Sequence, residues 1–140
     1  MDGGTIKIVA ALIRDDAGRV LLVRKRGTDA FMQPGGKRDA GEDDVAALSR
    51  EIAEELGCVV IAASMFSLGE FDAIAANEPG FRVQANLYRV EVTGEITPNQ
   101  EIDEAIWIDP AAPPDIPLAP LTRDHVLPLA SVTGIAGNVR

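Results

Sequence analysis

The sequence contains a single cysteine, Cys58, and a single histidine, His125, in 140 residues. A lone cysteine excludes an intramolecular disulfide and leaves a thiolate metal site without partners, so a reducing cytoplasm is the expected compartment. Lying in the apolar run CVVIAA, its thiol is expected to be buried and inert. A lone histidine with no serine beside it argues against a hydrolytic triad or a histidine-rich zinc site, and His125 is expected at the surface. Basic residues are also scarce: 13 Lys and Arg stand against 22 Asp and Glu, a formal charge of −9. That balance disfavours binding to a nucleic-acid polymer, which relies on a basic surface, but not a nucleotide held through metal ions. A long hydrophobic run is missing as well. In MDGGTIKIVAALIRDDAG about seven apolar-type residues precede Arg14 and Asp15 without a basic leader, so neither a signal peptide nor a membrane span is expected.

What is present is ordinary for a globular chain: 46% apolar and 25% charged residues. The length suits one domain, residues 1–140, with a substantial core. TIKIVAALIR and RVLLVRKR, separated by DDAG, read as two strands joined by a tight turn, with Val20, Leu22, Arg24 and Arg26 sharing one face. GTDAFMQPGGKRDAGE must be a loop, and Phe31 or Met32 there is either a packed anchor or a surface for a base. A helix is expected from about Asp43 to Leu56, with acidic residues at its favourable start. Strand pieces follow Gly57. FRVQANLYRVEV alternates, with Phe81, Val83, Ala85 and Leu87 on one face and Arg82, Gln84, Asn86 and Tyr88 on the other, where Gln84, Asn86 and Tyr88 either face a base or sugar or, as is commoner on an open strand face, are solvated. A strand near Ala105 to Ile108 ends in the proline-dense DPAAPPDIPLAP. A short helix around Leu121 to Leu127 precedes SVTGIAGNVR, which is expected to fray. Strands around one long central helix, with a terminal helical segment, imply α/β or α+β architecture on a mixed sheet.

The central helix poses a physical question. SREIAEELG sets Glu51, Glu54 and Glu55 within an arc of roughly 100°, beside an apolar stripe of Val45, Leu48, Ile52 and Leu56. Peptide dipoles favour cations at a helix C-terminus, yet these are three carboxylates. On the wheel no cation of the same helix reaches Glu51, and Glu54 has only Arg50 at i−4. Each like-charge pair costs ~0.2–0.5 kcal/mol, about 1 kcal/mol for the cluster besides the dipole. So small a penalty allows a plain solvated face. It equally allows a divalent cation to supply the missing charge, since Mg²⁺ takes a few carboxylate oxygens and completes its shell with water or phosphate.

The surrounding spacing decides between them. Gly36, Glu42 six positions later, then Arg50, Glu51, Ile52, Glu54, Glu55, Gly57 and Cys58 together resemble the signature box of the Nudix hydrolases, G-x5-E-x7-R-E-U-x-E-E-x-G-U, where U is a bulky aliphatic residue. Only Cys58, apolar but small, departs from it. The resemblance implies an α/β/α sandwich around a mixed sheet, and Mg²⁺- or Mn²⁺-dependent hydrolysis of a diphosphate linkage in a nucleoside triphosphate or a nucleoside diphosphate linked to another moiety. It implies one to three ions held by Glu51, Glu54 and Glu55, with the Gly35 carbonyl and Glu101 as further ligands. Arg50 and Glu42 would pair to fix the loop. Glu51 is the first choice as general base and Glu101 the second, with Glu104 able to take the place of Glu101.

Lys37, Arg24 and Arg26 are candidates for the substrate phosphates. Members of the family that act on oxidised guanine nucleotides carry an asparagine after the last strand, and PLAPLTRD has none. Within the enzyme class, an ADP-ribose or nucleotide-sugar pyrophosphatase stays open. Outside it stand a catalytically silent nucleotide sensor, against which the full set of box carboxylates argues, and a purely structural acidic helix. A homodimer is common in the family.

Overall fold

The computed structural model describes residues 3–131. Residues 132–140, part of the segment expected to fray, lie outside the described residues. Nine strands are present among the described residues: β1 (Gly4–Leu12), β2 (Val20–Lys25), β3 (Phe31–Met32), β4 (Gly35–Gly36), β5 (Val59–Val60), β6 (Phe66–Ile74), β7 (Phe81–Arg89), β8 (Val92–Thr93) and β9 (Ile102–Ile108). Helix α1 (Asp44–Leu56) follows β4, and a π-helical turn at Thr122–Val126 runs into the short helix α2 (Leu127–Ala130).

Two main sheets form. In one the order is β4-β1-β7-β6, with β1 parallel to β7 and the other pairs antiparallel. In the other it is β3-β2-β9, all antiparallel. The mixed sheet expected from the sequence is present. The first two strands are joined by a tight turn as expected, but they do not pair along their length. They do share the tight turn at Asp15–Arg19 and a bridge between Arg14 and Val20. Beyond that point β1 and β2 splay into different sheets. Both are buried on both faces, so each finds partners elsewhere: Val9, Ala11, Ile13, Leu21 and Val23 pack under α1, while Ala10, Leu12, Val20 and Leu22 pack under the Thr122–Ala130 segment. These two cores make the α/β/α sandwich.

The segment expected to be a plain loop turns out to be a strap across the opening. Its β3 residues pair with β2, its β4 residues pair with β1, and Gln33 and Pro34 bridge from sheet to sheet.

α1 begins at the Asp43 cap, whose carboxylate accepts from the Ala46 N–H at 2.9 Å, and stops at Gly57, which adopts φ 70°. Its buried face is Ala47, Leu48, Ile52, Glu55 and Leu56; Val45 is instead 40% exposed. Asn86 and Tyr88, expected to be solvated, turn toward α1 and donate to Asp44 Oδ2 at 2.9 and 2.5 Å. Parallel pairing of β7 with β1 lays that face of β7 under the helix, a consequence of tertiary pairing that alternation alone does not contain. Cys58 is buried as expected, and burial pushes its thiol pKa up. His125 is half-buried, its ring centroid 5.3 Å from that of Phe71.

Candidate active site

A cavity of about 300 Å³ occupies the opening where the two sheets part. Glu51 and Glu55 enter it from α1, Lys25 from the end of β2, Gly35, Gly36 and Lys37 from the strap, and Glu101 from the loop before β9. The opposite wall is apolar, built by Ile6, Ile8, Val83 and Leu121.

The strap glycines have separate physical reasons. Gly35 sits at φ 148°, and a Cβ there would run into the Val9 carbonyl of β1. A Cβ on Gly36 would occupy the position of the Glu51 carboxylate. Both residues therefore let the strap close onto helix and strand, and the Gly35 N–H donates to Glu55 Oε1 at 3.2 Å.

Glu55 is 5% exposed, and among the described residues its carboxylate accepts only that hydrogen bond. Burial pushes its pKa up to about 8, with the neighbouring charge of Glu51 adding to the effect. Glu51 is half-buried and its pKa is also raised, first by burial, with Arg50 opposing. Glu54 is exposed and turns out of the cavity, where its Oε1 accepts from Arg50 Nη1 at 3.2 Å. Contrary to the helix wheel, a cation of the same helix does reach Glu51, for Arg50 Nη1 also lies 3.3 Å from Glu51 Oε2. A wheel places Cβ atoms, whereas the long arginine side chain bends around the helix to its partners.

Arg50 in fact ties the whole site together. Nε and Nη2 fork onto both oxygens of Glu42 at 2.7 and 3.0 Å, and Nη2 also donates to the Lys37 carbonyl at 3.0 Å. This fork and the Asp39 N–H hold the Glu42 pKa down at about 2.

Among the described residues no three Asp, Glu, His or Cys side chains converge tightly enough to chelate an ion as they stand, and Arg50 holds both Glu51 and Glu54. The donor set nevertheless suits a hard divalent cation. A carboxylate buried with one N–H for company, next to a second carboxylate and open to a polar cavity, is the oxygen-rich and charge-deficient chemistry such an ion neutralises.

The remaining candidates divide. Lys37 and Glu101 reach the cavity. Arg24 and Arg26 do not line it. Arg24 donates to Asp103 at 3.1 Å, Glu104 at 3.2 Å and the Thr28 carbonyl at 2.9 Å, and lies over the Phe31 ring, which is itself a buried anchor. Glu104, the alternative to Glu101, is thereby committed to Arg24. Arg26 instead braces the Glu101 loop, its N–H donating to the Glu101 carbonyl at 2.7 Å and Nη2 to that of Gln100 at 3.2 Å. The same loop caps α1, with Thr97 and Asn99 N–H groups donating to the Leu56 and Glu55 carbonyls.

Sequence reasoning missed Lys25. The alternation that put Arg24 and Arg26 on one face put Lys25 with Leu21 and Val23 on the face toward α1, and that signal was available. It also missed Gln33 and Thr122, whose meeting depends on tertiary contact.

The chain is 37% identical over 76 residues to an 8-oxo-dGTP diphosphatase of Haemophilus influenzae, spanning 51% of this chain and 56% of that relative. It is 34% identical over 109 residues to a protein of Mycobacterium tuberculosis named putative 8-oxo-dGTP diphosphatase 2, spanning 76% and 73%. The crystal structure of a MutT NUDIX hydrolase from Burkholderia pseudomallei superposes with a TM-score of 0.71 at 27% identity, covering 90% of this chain and 95% of that one. The family model of the NUDIX domain matches residues 5–129, and on that match, over a sandwich of the same architecture, the chain belongs to the Nudix hydrolase family.

Proposed function

We propose that this protein hydrolyses a diphosphate linkage in a nucleoside triphosphate or a related nucleoside diphosphate derivative, with Mg²⁺ or Mn²⁺. The observation that carries the reading is the meeting of Glu51 and Glu55 beneath the Gly35–Gly36 strap, in one cavity with Lys25, Lys37 and Glu101. Glu51, Glu54 and Glu55, with the Gly35 carbonyl and Glu101, are the groups that would hold one to three ions. A bound divalent cation neutralises charge on the phosphate oxygens and makes water easier to deprotonate. Lys25 and Lys37 meet the remaining phosphate charge as point charges from two sides. Glu51 takes the proton of the attacking water, since its half-buried, raised-pKa carboxylate stands at the cavity rather than outside it. Glu101 is the second candidate for that role. Arg50 is a positioning residue, holding strap and helix in register through Glu42 and Lys37.

Two relatives bear names that specify 8-oxo-dGTP, so oxidised guanine nucleotides belong among the substrates tested. The segment PLAPLTRD, lacking an asparagine, argues that any preference for guanine here uses other residues. The test is chromatographic detection of the hydrolysis products, the nucleoside monophosphate and its phosphorylated partner or diphosphate, from a panel of nucleoside triphosphates, oxidised nucleotides, ADP-ribose and nucleotide sugars, with Mg²⁺, with Mn²⁺ and with chelator. Turnover that depends on the metal is expected. Activity that chelator leaves untouched, or none on any member of the panel, overturns the reading.

A further inference from the structure

The apolar half of the cavity holds a buried polar side chain whose chemistry the hydrolysis does not use. Gln33, in the strap between β3 and β4, is 6% exposed and lines the cavity. Its Oε1 accepts from Thr122 Oγ1 at 2.8 Å, and Thr122 is fully buried. Its Nε2 has no partner among the described residues. A buried amide whose donor end is unpaired is costly, and native proteins satisfy such groups with water or a ligand. Thr122 matters because it engages the acceptor end. An amide free to turn offers either a donor or an acceptor to a ligand; one whose oxygen is engaged, as here, has only its two N–H bonds left to offer.

We infer that Gln33 is a specificity residue that reads an exocyclic carbonyl oxygen on the base of the substrate nucleotide, oriented for that task by Thr122. The inference rests on the proposed nucleotide hydrolysis and deepens it. The phosphates belong at the charged side of the cavity, among Lys25, Lys37, Glu51 and Glu55, so the base extends toward Ile8, Val83 and Leu121, the side to which Gln33 contributes. There an apolar wall accepts a ring, and the buried Gln33 amide supplies direction. A donor-only group favours keto bases over amino bases. An amino group in the same place would set donor against donor and leave both unpaired.

Pairs of substrates differing only at one exocyclic group and the protonation of the ring nitrogen beside it test this: dITP against dATP, and dUTP against dCTP. Wild type is expected to favour the keto member by about tenfold in kcat/KM, the scale of one hydrogen bond in a site built for it. Gln33→Met removes the amide at similar length and should bring the ratio to within about threefold, chiefly by slowing the keto member. Thr122→Val leaves the amide but frees it to turn, and should shrink the ratio while Gln33 is still present. Thermal unfolding of each variant shows that the fold survives, and the ratio, unlike total activity, is insensitive to the fraction folded. A wild-type preference for amino bases, equal use of both members, or a keto preference that survives Gln33→Met with Thr122→Val unchanged overturns the inference. If no nucleotide is hydrolysed with either metal, the proposed activity falls instead, and the two failures are distinct.

Discussion

At the start of α1, Asp44 is held by Tyr88, Asn86 and Arg38, and Asp43 caps the helix; at its end, Glu55 is as buried as any core residue and has one N–H. Asp44 is half-buried, and burial alone would raise its pKa, yet its hydrogen bonds outweigh that and the pKa is lowered. Glu55 has no such compensation and is raised. The first set of carboxylates sits at the positive end of the helix dipole, surrounded by donors, and stabilises the fold. The second sits at the negative end, short of donors, and strains it. Carboxylates of one helix are thus divided between structure and function by what faces them. The division is testable because the two groups should respond to substitution in opposite directions.

The largest expected effect is on turnover. Glu51→Gln should lower kcat by about 10²–10³, the scale of losing a positioned electrostatic group, with the unfolding temperature nearly unchanged. A variant retaining more than half its kcat at saturating Mg²⁺ would remove Glu51 from the site. Next comes Asp44→Ala, which leaves the Tyr88 hydroxyl and the Asn86 amide without their acceptor. It should cost about 2 kcal/mol, several degrees in the unfolding temperature. A change below one degree by calorimetry would show the clamp at the helix start to be idle.

Glu55→Gln should do the reverse. In metal-free buffer at pH 7 it should raise stability by on the order of 1 kcal/mol, since a neutral amide keeps the Gly35 bond and needs no proton taken up to be buried neutral, while turnover collapses. Loss of stability in that variant would break the comparison between the two ends.

The smallest effect concerns pH. Glu42 has a folded-state pKa of about 2 against an ordinary 4.5, so its stabilisation is complete above the ordinary value and is lost as pH falls through 2. The gap in unfolding temperature between wild type and Glu42→Gln should be full at pH 7 and shrink steadily from pH 5 towards 2. A gap that stays constant across that range would mean that the fork from Arg50 contributes nothing through charge.

Much of this was legible in the chain. The helix bounds agreed within a residue, because Asp43 and Gly57 are local signals that hold wherever the helix docks. The strands were recognised by period, but their partners were not. β1 and β2 look like a hairpin because they are near in sequence, whereas each is apolar on both faces and needs two layers of cover. Among the site residues, the box spacing located Glu51, Glu55 and the strap glycines in one neighbourhood. It did not anticipate that Arg24 would be consumed by Asp103 and Glu104 at β9, nor that Lys25 beside it would face the carboxylates.

The sequence by itself determined what acts over a few residues: where the long helix starts and stops, which carboxylates crowd its end, and where glycines allow the chain to approach them. Only the tertiary structure decided which of those carboxylates is buried and which is tied to Arg50. It alone brought Gln33 to Thr122, 89 positions apart in the chain. The reason is that propensity and spacing are properties of neighbours along the backbone, whereas burial and hydrogen-bond satisfaction depend on whichever distant strand or loop packs against them.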